Sequence, residues 1–142
     1  MAIKYRKGYK YQLAADISFK TAFKPSHPIF TPRIHLTTSG LLTVKDGYAW
    51  DGISGGGLDR KSNMAASLCH DALYQLMRME LLGHTSWRKA DKEFERLSIA
   101  CRPPPHIVKF HMFVLKIMKG RHARPEKRKK IHESYVAPLE LQ

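Results

Sequence analysis

The sequence lacks the features of an exported or membrane-spanning protein. It contains only two cysteines, Cys69 and Cys101, and neither belongs to a Cys-x-x-Cys pair, so neither a disulfide scaffold nor a thiolate metal site is predicted. No apolar run approaches the roughly eighteen residues that a membrane-spanning helix needs. The first ten residues alternate basic residues with tyrosine and contain no apolar signal segment. We therefore expect no transmembrane segment and no secretion by a signal peptide. The two cysteines lie on predicted apolar helix faces and are expected to be reduced core residues, with a disulfide between them as the alternative.

Acidic residues are also scarce. The chain has 12 Asp and Glu against 25 Lys and Arg, which gives a formal net charge of +13. From Arg121 onward there are six basic and three acidic residues, so most of the excess charge precedes that point. Such a field attracts nucleic acid, an anionic membrane surface or an acidic protein, and it does not choose among them. A charge that serves only solubility is the alternative.

Strand signals are confined to the first sixty residues. Alternating apolar and polar positions predict short strands at 9–13, 17–19, 33–38 and 41–45. The pair Ser39-Gly40 between the last two predicts a hairpin. Prolines at positions 25, 28 and 32 predict that residues 24–32 contain no regular structure.

Helical periodicity begins after a glycine-rich loop at residues 51–61. Three helices are predicted, at 62–80 with Ser62 or Asn63 as the cap, at 85–100 and at 106–119. The expected fold class is therefore α+β, with a small antiparallel sheet or hairpins followed by a three-helix unit. We expect one domain over residues 1–120 and a basic C-terminal tail over 121–142.

The first helix carries a polar face next to the glycine-rich loop. Spacings of three and four residues place five polar side chains on one side of it, namely Ser67, His70, Asp71, Tyr74 and Arg78. A solvated surface is the simplest interpretation of such a face. However, the loop carries Asp51 and Ser54 and leads to the N-terminus of this helix, where amide groups and the positive end of the dipole collect. A histidine beside carboxylates in that setting predicts a general base or a metal site.

The second helix offers a partner for this face. Arg88 and Asp91 lie about one turn apart, and the short connection at 81–85 predicts that the two helices are antiparallel neighbours. Asp91 is then placed to accept a hydrogen bond from His70 or from Tyr74 and to fix the histidine tautomer. A purely structural hydrogen-bond network between the helices is the other interpretation, and both stay open.

Three motifs resemble a family found mainly in bacteriophages and prophages and catalogued as a domain of unknown function. They are Asp51-Gly-x-Ser54, His70-Asp71-x-x-Tyr74 and Arg88-x-x-Asp91-x-x-Phe94, and the resemblance covers residues 33–120. It implies a phage origin, a location in the host cytoplasm or the virion, and a phage or host protein as partner. It implies no activity.

The His-Asp motif is also similar, at the level of the site, to secreted phospholipases A2. In these enzymes a glycine-rich calcium loop precedes a helix bearing His-Asp-x-Cys-Tyr, and an aspartate on the next helix orients the histidine. The resemblance implies that His70 is the base, Asp71 a calcium ligand, Tyr74 a network tyrosine and Asp91 the orienting carboxylate. This chain lacks the disulfide framework of that family and has Leu73 before the tyrosine instead of cysteine.

Three alternative functions are therefore compatible with the sequence. The first is a small, basic phage protein without catalysis, either a virion component or a host-interaction factor. The second is an ester or phosphoester hydrolase with His70, Asp71, Asp91 and Tyr74 in the catalytic network. Asp51, Ser54 and Arg88 would lie at its substrate or loop side, and Asp71 and Asp51 would bind a divalent cation such as calcium. The third is a nucleic-acid-binding protein that uses its positive charge.

Overall fold

The computed structural model describes residues 5–8, 10–52, 63–100 and 104–127, and within these ranges it describes side chains from Tyr11 to Glu126. Antiparallel strands occupy the N-terminal half and three helices follow, which confirms the α+β prediction. The described residues fall into two compact units that divide after Gly52. We call them the β unit and the helical unit.

The β unit contains two small antiparallel sheets. Its described strands are β1 (Tyr5–Gly8), β2 (Lys10–Leu13), β3 (Ile17–Lys20), β4 (Ile29–Phe30), β5 (Ile34–Leu36), β6 (Leu41–Val44) and β7 (Ala49–Trp50). The first sheet has the order β1-β2-β7 and the second the order β3-β6-β5-β4. The inward positions of the strands are apolar and buried, for example Phe19, Leu42 and Trp50.

The predicted hairpin forms between β5 and β6. Leu36 lies opposite Leu42, and the Thr37 amide donates to the Leu41 carbonyl at 3.0 Å. Gly40 sits in the turn at φ +97°, and a Cβ atom there would lie 2.5 Å from the carbonyl oxygen of Thr21. Glycine is therefore required at this position by both its backbone angle and its surroundings.

The prediction that residues 24–32 contain no regular structure is wrong for two of them. Strand β4 lies between Pro28 and Pro32 and pairs with β5, with Ile29 opposite Leu36 and Phe30 opposite His35. It is an edge strand of its sheet, so it needs ladder hydrogen bonds on one side only. The two prolines lie just outside it, where a missing amide does not interrupt the ladder.

The helical unit contains α1 (Met64–Arg78), α2 (Trp87–Ala100) and α3 (Pro105–Met118), and all three lie close to their predicted bounds. Short 3-10 turns occupy His84–Ser86, Arg121–Ala123 and Pro125–Lys127. Proline is well suited to the first turn of α3 because its φ angle is already helical and its missing amide would have no partner. After α3 the chain reverses through Gly120 at φ +69°, where a Cβ atom would lie 2.3 Å from Cγ of Trp87.

Helix α1 is the central element of the helical unit. All of its residues are buried except His70, so the interpretation of its polar face as a solvated surface is wrong. Helix α2 and the turn Arg121–Ala123 pack against α1, and Ala123 is fully buried. The beginning of the predicted tail, residues 121–127, therefore belongs to the folded helical unit.

The described cysteine is a core residue. Cys69 is fully buried, as predicted for the apolar side of its helix, and desolvation by burial raises the pKa of its thiol. Cys101 lies outside the described residues. None of the described helices is long and apolar enough to cross a membrane.

Candidate functional site

Three polar side chains meet between α1 and α2. The Nε2 atom of His70 lies 2.6 Å from Oδ1 of Asp91, and the hydroxyl of Tyr74 donates to the same oxygen at 2.7 Å. His70 and Tyr74 are four residues apart and so project from the same side of α1. Asp91 reaches them from the first half of α2. We call these three residues the His-Asp-Tyr network.

The hydrogen bond to Asp91 sets the tautomer of His70. A carboxylate oxygen accepts, so Nε2 carries the proton and donates it, and in the neutral ring the lone pair then resides on Nδ1. Among the described residues, none forms a hydrogen bond with Nδ1. The side chain of His70 is 13% exposed whereas that of Asp91 is 7% exposed. The network thus joins a buried carboxylate to a slightly exposed imidazole whose Nδ1 atom has no hydrogen-bond partner among the described residues.

Aromatic rings hold the imidazole from two sides. The centroid of the Tyr74 ring lies 4.0 Å from that of His70, and the Phe94 ring meets His70 edge-on at 5.6 Å. Phe94 is three residues after Asp91 on α2, so one face of that helix supplies both the carboxylate and the packing ring. These contacts restrict the rotation of the imidazole, and Nδ1 therefore keeps a fixed direction.

Tyr74 acts as a donor throughout the neutral pH range. It is buried, and burial raises the pKa of its hydroxyl, with a further increase from the negative charge of Asp91. A phenol with a raised pKa keeps its proton. Tyr74 therefore holds Asp91 in place but does not itself act as a base.

Asp71 is adjacent to His70 in sequence but has a different partner. Its carboxylate lies 3.5 Å from Nη1 of Arg78, and both side chains are nearly buried. Arg78 also donates to the side-chain oxygen of Gln75 at 3.1 Å and to the main-chain carbonyl of His122. The guanidinium thus supplies the positive charge beside Asp71 and ties α1 to the turn that contains His122.

The described residues do not by themselves fit a calcium ion. Among them, no group of three or more His, Cys, Asp or Glu side chains could hold a metal, and Arg78 already faces the carboxylate of Asp71. Asp51 is exposed at the end of the β unit. Ser54 and the rest of the glycine-rich loop from residue 53 onward lie outside the described ranges. The metal-binding role of Asp71 and Asp51 stays a prediction.

Arg88 is not part of the network. It is exposed, and its guanidinium carbon lies 5.2 Å from the ring centroid of the neighbouring Trp87. Although it lies one turn before Asp91, its side chain is directed to the solvent-exposed border of α2. A role of Arg88 in substrate binding stays a prediction.

Sequence patterns did not identify His111 as a neighbour of the site. It is buried on α3, and its ring packs edge-on against Phe94 with the centroids 6.0 Å apart, so Phe94 lies between two imidazoles. The available signal was its spacing from Val108 and Leu115, which places it on the apolar side of α3. The pair of Asp71 and Arg78 was also missed, although two full turns place both on one face.

Comparison of this chain with models of protein families, with curated proteins and with solved structures finds no match. The resemblances to the phage family and to phospholipases A2 therefore rest on the motifs alone. The site itself consists of an oriented, slightly exposed imidazole that is backed by a buried carboxylate.

Proposed function

We propose that this chain is a phage-encoded hydrolase that cleaves an ester or phosphoester bond with His70 as the general base. The observation that carries the proposal is the 2.6 Å contact of His70 Nε2 with Asp91 Oδ1, which leaves Nδ1 as the ring nitrogen that can accept a proton. Phage origin is supported by the three motifs described above. The reaction class is supported by the pairing of an imidazole with a carboxylate, because that pairing activates water.

The reaction follows from the position of the proton. Nδ1 of His70 accepts a proton from a water molecule while the water oxygen attacks the carbonyl carbon or the phosphorus. The bond to the leaving oxygen breaks with its electron pair, and the imidazolium returns its proton to that oxygen. Asp91 stabilises the imidazolium that forms in between, and its burial strengthens this interaction because little water screens it.

Tyr74 is a positioning residue in this mechanism. Its hydroxyl donates to the oxygen of Asp91 that also accepts from His70. The carboxylate therefore cannot rotate away without losing two hydrogen bonds. A fixed carboxylate keeps His70 in one tautomer and one orientation, and both are needed for proton transfer to occur in a single direction.

The test compares wild type with His70→Gln on chromogenic carboxylic esters and phosphodiesters, with a chelator and with added calcium. The glutamine amide can still donate to Asp91, whereas it cannot act as a base. We expect a loss of roughly 10²–10⁴-fold in kcat/KM with an unchanged melting temperature. His35→Ala, which changes a half-buried histidine of β5, is the control and should retain activity. Turnover that survives in His70→Gln, or no turnover by wild type on either class, would refute the proposal.

A second candidate is the non-catalytic phage protein, either a virion component or a host-interaction factor. It is favoured by the burial of Tyr74 and Asp91, because a buried hydrogen-bonded cluster also serves to join two helices. In that case His70→Gln would leave every property unchanged. His70→Ala would instead lower the free energy of unfolding by about 1–3 kcal/mol, since Asp91 loses a partner.

A further inference from the structure

Helix α3 exposes an apolar stripe. Only Val108 and His111 of this helix are buried, whereas Phe110, Phe113 and Ile117 are 50%, 61% and 55% exposed. Their spacing of three and four residues places all three side chains on one side of the helix. Ile99 of α2 is 59% exposed. It lines a shallow cavity together with Pro105, Val108 and Lys109, and none of these residues belongs to the stripe.

Positive charge borders this stripe. Lys109 and Lys116 are exposed and lie two turns apart along one side of it. Lys119, Arg121 and Arg124 follow at the C-terminal end of the helix and are also exposed. The sequence from 104 to 124 contains these five basic residues and no Asp or Glu. Two acidic residues are near this surface, Glu95 of α2, which lines the shallow cavity, and Glu126, which is exposed just beyond Arg124.

We propose that this face of α3 binds the surface of an anionic phospholipid bilayer. Phe110, Phe113 and Ile117 enter the boundary between headgroups and acyl chains, and Lys109 and Lys116 contact the lipid phosphates. Helices that lie in a membrane interface combine bulky apolar residues on one side with Lys and Arg at its border. Each basic residue near such a surface adds an attraction to anionic lipid.

The composition of the stripe favours lipid over the other anionic or apolar occupants. Nucleic acid would engage the lysines and could stack on the phenylalanines, but an aliphatic side chain such as Ile117 gains little from bases and phosphates. A second copy of this chain would bring one set of five basic residues against another. Such a contact is disfavoured, because like charges in an interface repel. The proposal does not depend on hydrolysis by His70.

The test is co-sedimentation of the full chain with vesicles of phosphatidylcholine alone and of phosphatidylcholine with phosphatidylglycerol. We expect wild type to bind the anionic vesicles and to bind neutral vesicles far less. Phe113→Ser with Ile117→Ser should abolish binding to both. Lys109→Gln with Lys116→Gln should weaken anionic binding by roughly 30-fold, which corresponds to about 1 kcal/mol for each lysine.

Matched variants elsewhere serve as controls. Phe30→Ser with Leu41→Ser removes two exposed apolar residues of the β unit, and Lys24→Gln with Lys92→Gln removes two exposed lysines outside α3. Both control pairs should bind anionic vesicles as wild type does. Circular dichroism melts of every variant report whether it is folded, and the substituted side chains are exposed, so we expect no loss of fold.

Three results would overturn the proposal. One is wild-type binding that is absent on anionic vesicles or equal on neutral ones. Another is binding of an RNA or DNA oligonucleotide without vesicle binding, which would assign the face to nucleic acid. The third is a dimer in sedimentation velocity that Phe113→Ser with Ile117→Ser dissociates, again without vesicle binding. That result would assign the face to a second copy of the chain.

Discussion

His70 and Tyr74 lie one helical turn apart on α1 and direct their hydrogen bonds to the same oxygen of Asp91, at 2.6 and 2.7 Å. The two donors hold the carboxylate between them, so each depends on the other through the atom they share. Removal of one donor therefore affects the position of the other group as well as the energy of one bond. In such a cluster the effects of substitutions do not add.

Tyr74→Phe tests this coupling. The substitution removes the hydroxyl that donates to Asp91 and keeps the ring that packs on His70. We expect the free energy of unfolding, measured with urea, to fall by about 1.5–3 kcal/mol, as for other hydrogen bonds to charged groups. In an Asp91→Ala background the same substitution should have a clearly smaller effect. Equal effects in both backgrounds would show that the hydroxyl does not act through Asp91.

Arg78→Met tests the buried ion pair. Its guanidinium lies 3.5 Å from the carboxylate of Asp71, and the substitution leaves that carboxylate buried without its cation. We expect a loss of about 3–5 kcal/mol in the free energy of unfolding. The double variant Arg78→Met with Asp71→Leu should regain part of the loss because it removes the buried carboxylate together with its cation, whereas the hydrogen bonds of Arg78 to Gln75 and His122 stay absent. Arg124→Met changes an exposed arginine, and it should alter stability by less than about 0.5 kcal/mol. A similar loss in both arginine variants would contradict this account.

Cys69 should resist alkylation. Burial raises the pKa of its thiol, so the reactive thiolate is scarce near neutral pH and the sulfur is not accessible. In a Cys101→Ser background, we expect iodoacetamide at pH 8 to leave the native protein unlabelled in intact-mass spectra and to label it fully in urea. Rapid labelling of the native protein would show that α1 opens far more readily than its burial indicates.

Gly40 in the β5–β6 hairpin and Gly83 in the connection between α1 and α2 together test whether the hairpin requires glycine. Gly40→Ala places a Cβ atom 2.5 Å from the Thr21 carbonyl oxygen at a positive φ angle, and we expect it to lower stability by about 1–3 kcal/mol. Gly83→Ala adds a Cβ atom whose nearest neighbour, Oγ1 of Thr85, is 3.8 Å away. It should be neutral or stabilise by about 0.4–1 kcal/mol, because it restricts the unfolded chain. Denaturant melts that show equal effects would exclude the steric explanation.

Periodicity predicted the helices well, because each has apolar residues at three- and four-residue spacing and a proline or glycine near an end. It also predicted the approach of Asp91 to His70 and Tyr74, since a short connection makes consecutive helices antiparallel. It did not predict the burial of the polar face of α1. Residue spacing shows which side chains share one face of a helix but not which part of the chain packs on that face. The turn Arg121–Ala123, which follows α1 by more than forty residues, packs against this helix and buries Ala123.

The incorrect or missed sequence-based predictions have local structural causes. Three prolines within eight residues argue against a strand, yet Ile29 and Phe30 form one because an edge strand of two residues fits between Pro28 and Pro32. The contact of Asp71 with Arg78 spans two turns, which only a side chain as long as arginine bridges. The resemblance to phospholipases A2 directed attention to a cation near Asp71, and in the described residues the neighbouring cation is a guanidinium.

The contact of Arg78 with the His122 carbonyl also determines how the protein can be shortened. A chain cut after Gly120 would lose that acceptor and the side chain of Ala123, which is fully buried. The arginine that neutralises Asp71 would then face a gap one helical turn from Tyr74. A truncated protein meant for enzymology or for crystallisation should therefore extend at least through Lys127, and an inactive fragment ending at 120 would reveal nothing about His70.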